Sequence, residues 1–222
     1  MQLAPLIDHT MLKNVTTVAD IDLLCNEALQ YGFASVCIPP YYVQDAKKLV
    51  DGSAVKVATV IGFPFGYHDY RTKAEEARLA IEQGADELDM VMNLAAFKSN
   101  DMAYVETEAA TLSKLTSENG KTLKVIIESG SLSDEEIIRC CELYRHYPVQ
   151  FLKTSTGYAE KGASVEAVRL MRQHLPEGIQ IKASGGIRTT EFAQQLVEAG
   201  ATRLGCSASV AIVKGENGSG NY

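Results

Sequence analysis

The sequence predicts an α/β protein of one domain, a TIM (β/α)8 barrel with a helical N-terminal segment and a flexible C-terminal tail. Three observations carry that prediction. Short apolar runs alternate with amphipathic segments from one end of the chain to the other, the pattern of a parallel sheet. The alternation makes eight strand–helix units without a break in composition, the number that closes a barrel. A chain of 222 residues is long for one average domain and short for two, and it suits this fold. An open doubly wound sheet is the alternative. It would place a glycine-rich fingerprint after the first strand, and none stands there.

The elements follow in order. A short first strand is expected at 5–8 and a helix at 18–31 with Thr17 as its N-cap. A-S-V-C-I at 34–38 precedes a helix at 41–50, and V-K-V-A-T-V-I at 55–61 precedes one at 70–83. E-L-D-M-V-M at 87–92 leads to a helix at 101–118, ended by Asn119-Gly120. L-K-V-I-I-E at 123–128 leads to a helix opened by Ser133, where S-D-E-E reads as a capping box. V-Q-F-L-K at 149–153, I-Q-I-K-A at 179–183 and R-L-G-C at 203–206 are the last strands. Helices are expected at 164–174 and 189–199, with a short one after 206. The barrel spans 1–214, and the Gly/Ser-rich tail spans 215–222 and ends in Tyr222.

Composition narrows the function classes. A formal net charge of −7 argues against nucleic acid or an anionic membrane as partner, yet leaves room for a small anion held by backbone amides. No apolar run reaches 18 residues, so no membrane span is expected. The start M-Q-L-A-P-L-I-D has neither a basic nor an apolar leader region, which predicts no signal peptide. Five cysteines, without a C-x-x-C pair, read as free thiols in a reducing cytoplasm. The four histidines share no metal-ligand spacing, so neither a metal site nor any other cofactor is expected.

Strand side chains alternate in direction. Leu88, Met90 and Met92 therefore face the helices, and Glu87, Asp89 and Val91 face the barrel interior. Lys182 and Ser184 point inward in the same way; Lys153 shares a face with Val149 and Phe151, and Glu128 with Ile126. Parallel strands buried on both faces are normally almost wholly apolar. Here ionisable groups interrupt the fourth, sixth and seventh strands near their C-terminal ends, where barrel active sites lie. A lone Lys or Asp there reads equally well as part of a structural ion pair. Two lysines on strands about 4.8 Å apart repel each other, which argues against a plain salt bridge.

A lysine has a pKa of about 10.4 in water, and bringing it to about 7 takes roughly 4 kcal/mol. Burial together with a neighbouring ammonium can supply that. The resulting amine attacks a carbonyl, and the iminium then draws electrons from the next carbon–carbon bond. S-G-G-I-R at 184–188 and R-L-G-C-S at 203–207 follow the seventh and eighth strands, where barrels often bind phosphate. Gly185, Gly186 and Gly205 would let amides approach an oxyanion, and Ser184 and Ser207 would add hydroxyls. A Gly-Gly turn by itself is a plain loop; its position relative to Lys182 is what gives it weight.

Seven segments then resemble deoxyribose-phosphate aldolases: I-D-H-T-M-L-K at 7–13, V-I-G-F-P-F-G at 60–66, E-L-D-M-V-M-N at 87–93, V-I-I-E-S-G at 125–130, F-L-K-T-S-T-G at 151–157, I-K-A-S-G-G-I-R-T at 181–189 and R-L-G-C-S-A-S from 203. The resemblance implies a class I aldehyde-lyase of nucleoside catabolism, splitting 2-deoxy-D-ribose 5-phosphate into D-glyceraldehyde 3-phosphate and acetaldehyde. It implies Lys153 as the Schiff-base lysine, Lys182 as the group that lowers its pKa, and Asp89 as the proton donor and acceptor acting through water. Gly157, Gly185, Gly186, Arg188, Gly205 and Ser207 fall where the family holds phosphate. Cys37 resembles the family's active-site cysteine, as a wall of the pocket; a small buried hydrophobe is the other reading. Tyr222 would reach the barrel mouth to relay a proton, or be a disordered end. The implied partners are a small phosphorylated sugar and a small aldehyde, and a homodimer is compatible. Tyr67 to Tyr70, Ala95 and Ser209 depart from the family's usual residues and bear on substrate range. Another Schiff-base sugar-phosphate aldolase, transaldolase-like, and a non-catalytic phosphosugar-binding barrel are the alternatives.

Overall fold

A computed structural model describes residues 2–216 and 218. Eight parallel strands form a closed barrel in chain order: β1 (Ile7–Thr10), β2 (Ser35–Ile38), β3 (Lys56–Ile61), β4 (Glu87–Val91), β5 (Thr122–Ile126), β6 (Phe151–Lys153), β7 (Gln180–Ser184) and β8 (Arg203–Cys206). Around it lie α1 (Val18–Tyr31), α2 (Val43–Leu49), α3 (Tyr70–Glu82), α4 (Leu94–Lys98), α5 (Met102–Glu118), α6 (Asp134–Tyr144), α7 (Val165–His174), α8 (Thr190–Glu198) and α9 (Ser209–Lys214).

The local signals act as their chemistry dictates. Thr17 and Asp20 form a capping box that opens α1, and Gly32 closes it in the left-handed region. Ser133 and Glu136 form the second box, at the start of α6. The outward faces of the strands, with Leu88, Met90, Ile181 and Ala183, join the helices in one buried core. A smaller apolar cluster of Leu12, Cys37, Ala58 and Val60, with Phe63 against it, takes in the inward residues of β2 and β3. One arc of the barrel interior is thus apolar, and the remaining strands carry the polar groups. No helix among the described residues is long and apolar enough to cross a membrane.

Three elements differ from the expectations. The helical N-terminal segment is a single 3-10 turn, Ala4–Leu6, with proline in its first turn. That turn pushes β1 two residues downstream of the expected 5–8, so Asp8 and His9 lie inside a strand. Helix α4 was not expected; Asn93 opens it by accepting a hydrogen bond from the Ala96 amide at 3.0 Å. Of the 215–222 segment, Gly218 donates its N–H to the Arg188 carbonyl at 2.9 Å. Tyr222 lies outside the described residues.

Candidate active site

Neighbouring strands bring Lys153 of β6 level with Lys182 of β7, and Asp89 of β4 level with Lys124 of β5. Lys153 and Lys182 are 2% and 0% exposed. Both ammonium nitrogens reach the same carboxylate oxygen: Asp89 Oδ2 lies 2.8 Å from Lys153 Nζ and 2.7 Å from Lys182 Nζ. The other oxygen, Oδ1, accepts from Lys124 Nζ at 2.7 Å. Lys182 is also held by Asp8, and Lys124 by Glu87 at 2.6 Å. Arg203 closes the base of the network, 2.6 Å from Asp8 and 3.2 Å from Glu87.

The two lysines therefore do sit in salt bridges, which their mutual repulsion had argued against. A shared carboxylate, backed by further acids, overcomes that repulsion. Asp8, Glu87 and Asp89 make three carboxylates, and Lys124, Lys153, Lys182 and Arg203 make four cations. Within this ion-pair network the charges cancel when one cation loses its proton; the buried Glu128 carboxylate, within electrostatic reach of Lys153, lies outside it.

The environment selects which one. Burial weighs most on Lys153; Asp89 opposes it and Lys182 reinforces it, and the pKa falls below the ordinary lysine value. Burial also opposes the charge on Lys182, but Asp8 and Asp89 outweigh it and hold the pKa well above that value. Lys124 is likewise kept cationic against burial, by Asp89 and Glu87. Asp89 stays ionised despite burial because Lys124, Lys153 and Lys182 surround it. Burial raises the pKa of the Cys37 thiol, which is fully enclosed.

A cleft of about 380 Å³ lies next to the strand ends that carry the lysines, and neither Lys153 nor Lys182 lines it. Gly157, Gly185, Gly186, Arg188, Gly205 and Ser207 all line it. Gly185 and Gly186 have φ of 87° and 77°, so their turn needs glycine. Gly205 separates the cleft from Lys182: a β-carbon there would lie 3.1 Å from Lys182 Cε. Ser184 is not brought to the cleft; its hydroxyl donates to the Ser155 carbonyl at 2.5 Å, and it is 1% exposed. Ser209 is buried too, 2.9 Å from His9 Nδ1 and donating to the Cys206 carbonyl. The aromatic loop after β3 is exposed, with Phe65 and Tyr67 stacked 5.5 Å apart.

Sequence reasoning assigned no role to Asp8, Lys124 or Arg203. Lys124 was within reach: it has the same parity as Ile126 and Glu128. Asp8 lies within the expected first strand, but as its last residue it shows no alternation that would mark it as facing inward.

The family model described as DeoC/LacD family aldolase matches residues 3–215. The chain belongs to that family. Among DeoC/LacD relatives, the deoxyribose-phosphate aldolase of Caldicellulosiruptor saccharolyticus is 48% identical over 213 residues, 96% of this chain and 97% of that one. The deoxyribose-phosphate aldolase of Thermococcus gammatolerans is 49% identical over 217 residues, 97% of this chain and 96% of that one. The deoxyribose phosphate aldolase of Aeropyrum pernix, solved as a tetramer, superimposes with a TM-score of 0.89 at 34% identity, covering 96% of this chain and 89% of that one. A DeoC/LacD aldolase with this interior has what covalent carbonyl chemistry asks for: a buried amine with a lowered pKa, a fixed cation beside it and a glycine-lined cleft nearby.

Proposed function

We propose that the protein is a class I aldolase that reversibly cleaves 2-deoxy-D-ribose 5-phosphate into D-glyceraldehyde 3-phosphate and acetaldehyde. The observation that carries this reading is the shared Asp89 carboxylate, which places the low-pKa Lys153 beside the permanently charged Lys182.

The neutral Lys153 amine attacks the aldehyde carbon, and loss of water gives the iminium. Forming that imine takes a hydrogen-bond donor away from Asp89 Oδ2. That oxygen then holds a water that takes the proton from the 3-hydroxyl and passes one to Asp89, which returns it through the water for the later protonation at C2. The C2–C3 bond breaks, its electrons pass into the iminium, and D-glyceraldehyde 3-phosphate leaves. The enamine takes a proton at C2, and water releases acetaldehyde and restores the amine. Lys182 keeps the Lys153 amine uncharged between turnovers and steadies Asp89. Gly157, Gly185, Gly186, Arg188, Gly205 and Ser207 hold the phosphate. Cys37 forms part of the apolar wall facing the reacting carbons.

Acetaldehyde plus borohydride tests the reading. The expected result is a reduced two-carbon adduct on Lys153, found by peptide mass spectrometry and lost in Lys153→Ala. Absence of the adduct from folded wild-type protein overturns it. Dihydroxyacetone and hydroxyacetone as alternative donors separate this activity from a transaldolase-like one. The same reading puts the enzyme in the cytoplasm, in deoxyribonucleoside catabolism, and is compatible with a homodimer. Light scattering on the purified chain tests the last point.

A further inference from the structure

We propose that Glu128 is a positioning residue that sets the wall of the phosphate cleft by clamping Thr156. The inference deepens the proposed function and rests on that reading of the cleft.

Glu128 lies two residues past the end of β5, in the left-handed region at φ 52°. A residue with a β-carbon is disfavoured there, so something must hold it. The segment around it continues the β5–β6 pairing. The Ile127 N–H donates to the Lys153 carbonyl at 3.0 Å, and the Ser129 N–H to the Thr154 carbonyl at 2.7 Å. The side chain is buried, 5% exposed for the residue, and turns to the strand carrying Lys153. Its carboxylate accepts the Thr156 N–H at 3.1 and 3.3 Å and the Thr156 hydroxyl as well. The Thr156 oxygen in turn accepts the Tyr158 N–H at 3.1 Å. Thr156 is thus fixed on both sides, and the next two residues, Gly157 and Tyr158, are cleft wall.

Burial opposes the charge on this carboxylate, and its hydrogen bonds come from neutral donors with Lys153 the nearby cation, so it is costly unless those bonds do something the fold needs. These bonds engage the Thr156 and Tyr158 N–H groups and fix the turn after Lys153, so the Gly157–Tyr158 wall of the cleft is held in one arrangement. Glu128 touches neither the reacting carbons nor, by this geometry, the phosphate itself.

Glu128→Gly is the decisive variant, because glycine accepts the same backbone angles without the carboxylate. With acetaldehyde as donor, KM for D-glyceraldehyde 3-phosphate is expected to rise about tenfold, while turnover of unphosphorylated D-glyceraldehyde changes less than about twofold. Glu128→Gln is expected to restore KM to within about threefold of wild type, since its amide can accept from the Thr156 N–H and donate to the Thr156 oxygen. Thr156→Val should repeat the defect, and the double variant should be no worse than either single one. Equal losses on both acceptors, no rescue by Gln, or additive losses overturn the proposal. If Glu128→Gly does not fold, an unchanged KM in Thr156→Val overturns it alone. Inorganic phosphate affinity, read by calorimetry, separates this inference from its parent. Wild type that binds phosphate but traps no imine sinks the aldolase reading, and weaker phosphate binding in Glu128→Gly still supports the clamp.

Discussion

Lys153 and Lys182 are chemically identical and lie level on neighbouring strands, yet the fold gives them opposite states. Lys182 has two carboxylates, Asp8 and Asp89, whereas among the described residues Lys153 pairs with Asp89 alone, through an oxygen it shares. Lys182→Met removes a nearby positive charge and leaves Asp8 and Asp89 to pull on Lys153. The Lys153 pKa is then expected to rise and its amine fraction at neutral pH to fall. Trapping of the acetaldehyde imine at pH 7 should drop more than about tenfold, and its pH profile should move to more alkaline pH. An unmoved profile would show that burial alone sets the amine. The lysine pair was legible in the sequence because charge in a doubly buried strand is hard to miss. Glu128 was legible only as a polar residue sharing a face with Ile126, since its significance lies in a backbone angle that no side-chain pattern announces.

Strands and helices followed from period and capping, and the exceptions have physical causes. An apolar run marks most strands, but half of I-D-H-T in β1 is ionisable and finds its partners in other elements. Helix α4 is one short turn opened by an Asn, too brief to show a period. A second buried charge pair ties elements together outside the barrel. Lys73 of α3 lies 2.6 Å from Glu108 of α5 and donates to the Val91 carbonyl at 2.8 Å, and Glu108 also accepts the Asn93 N–H. Burial pulls the Lys73 pKa down and the Glu108 pKa up, each toward neutrality, but these hydrogen bonds suit the ionised pair. Lys73→Met leaves Glu108 enclosed without its counter-charge and is expected to cost about 3–5 kcal/mol in urea unfolding. Lys73→Met with Glu108→Leu should recover most of that loss; a double variant as unstable as the single one would contradict the account.

At the scale of the whole barrel, the interior carboxylates govern acid stability. Asp8 and Asp89 have folded pKa values below the ordinary carboxylate value. Each therefore contributes stability that is fully present above the unfolded pKa and is lost as pH falls through the depressed folded one. The thermal midpoint is expected to hold from neutrality to about pH 4 and to decline below it. A steep loss between pH 6 and about 4.5 would contradict that sign. The cysteines give an independent test of closure. All five are buried, so a thiol reagent should modify almost none in the folded protein and all five in denaturant.

The matched count of interior charges has one more consequence. A protonated imine turns the uncharged nitrogen into a permanent positive centre, in a space with little water to screen it. A phosphorylated sugar arrives with the negative charge that offsets that centre, and a plain aldehyde does not. Discrimination between the two should therefore be written partly into imine formation itself, ahead of bond cleavage, and should narrow when free phosphate fills the cleft.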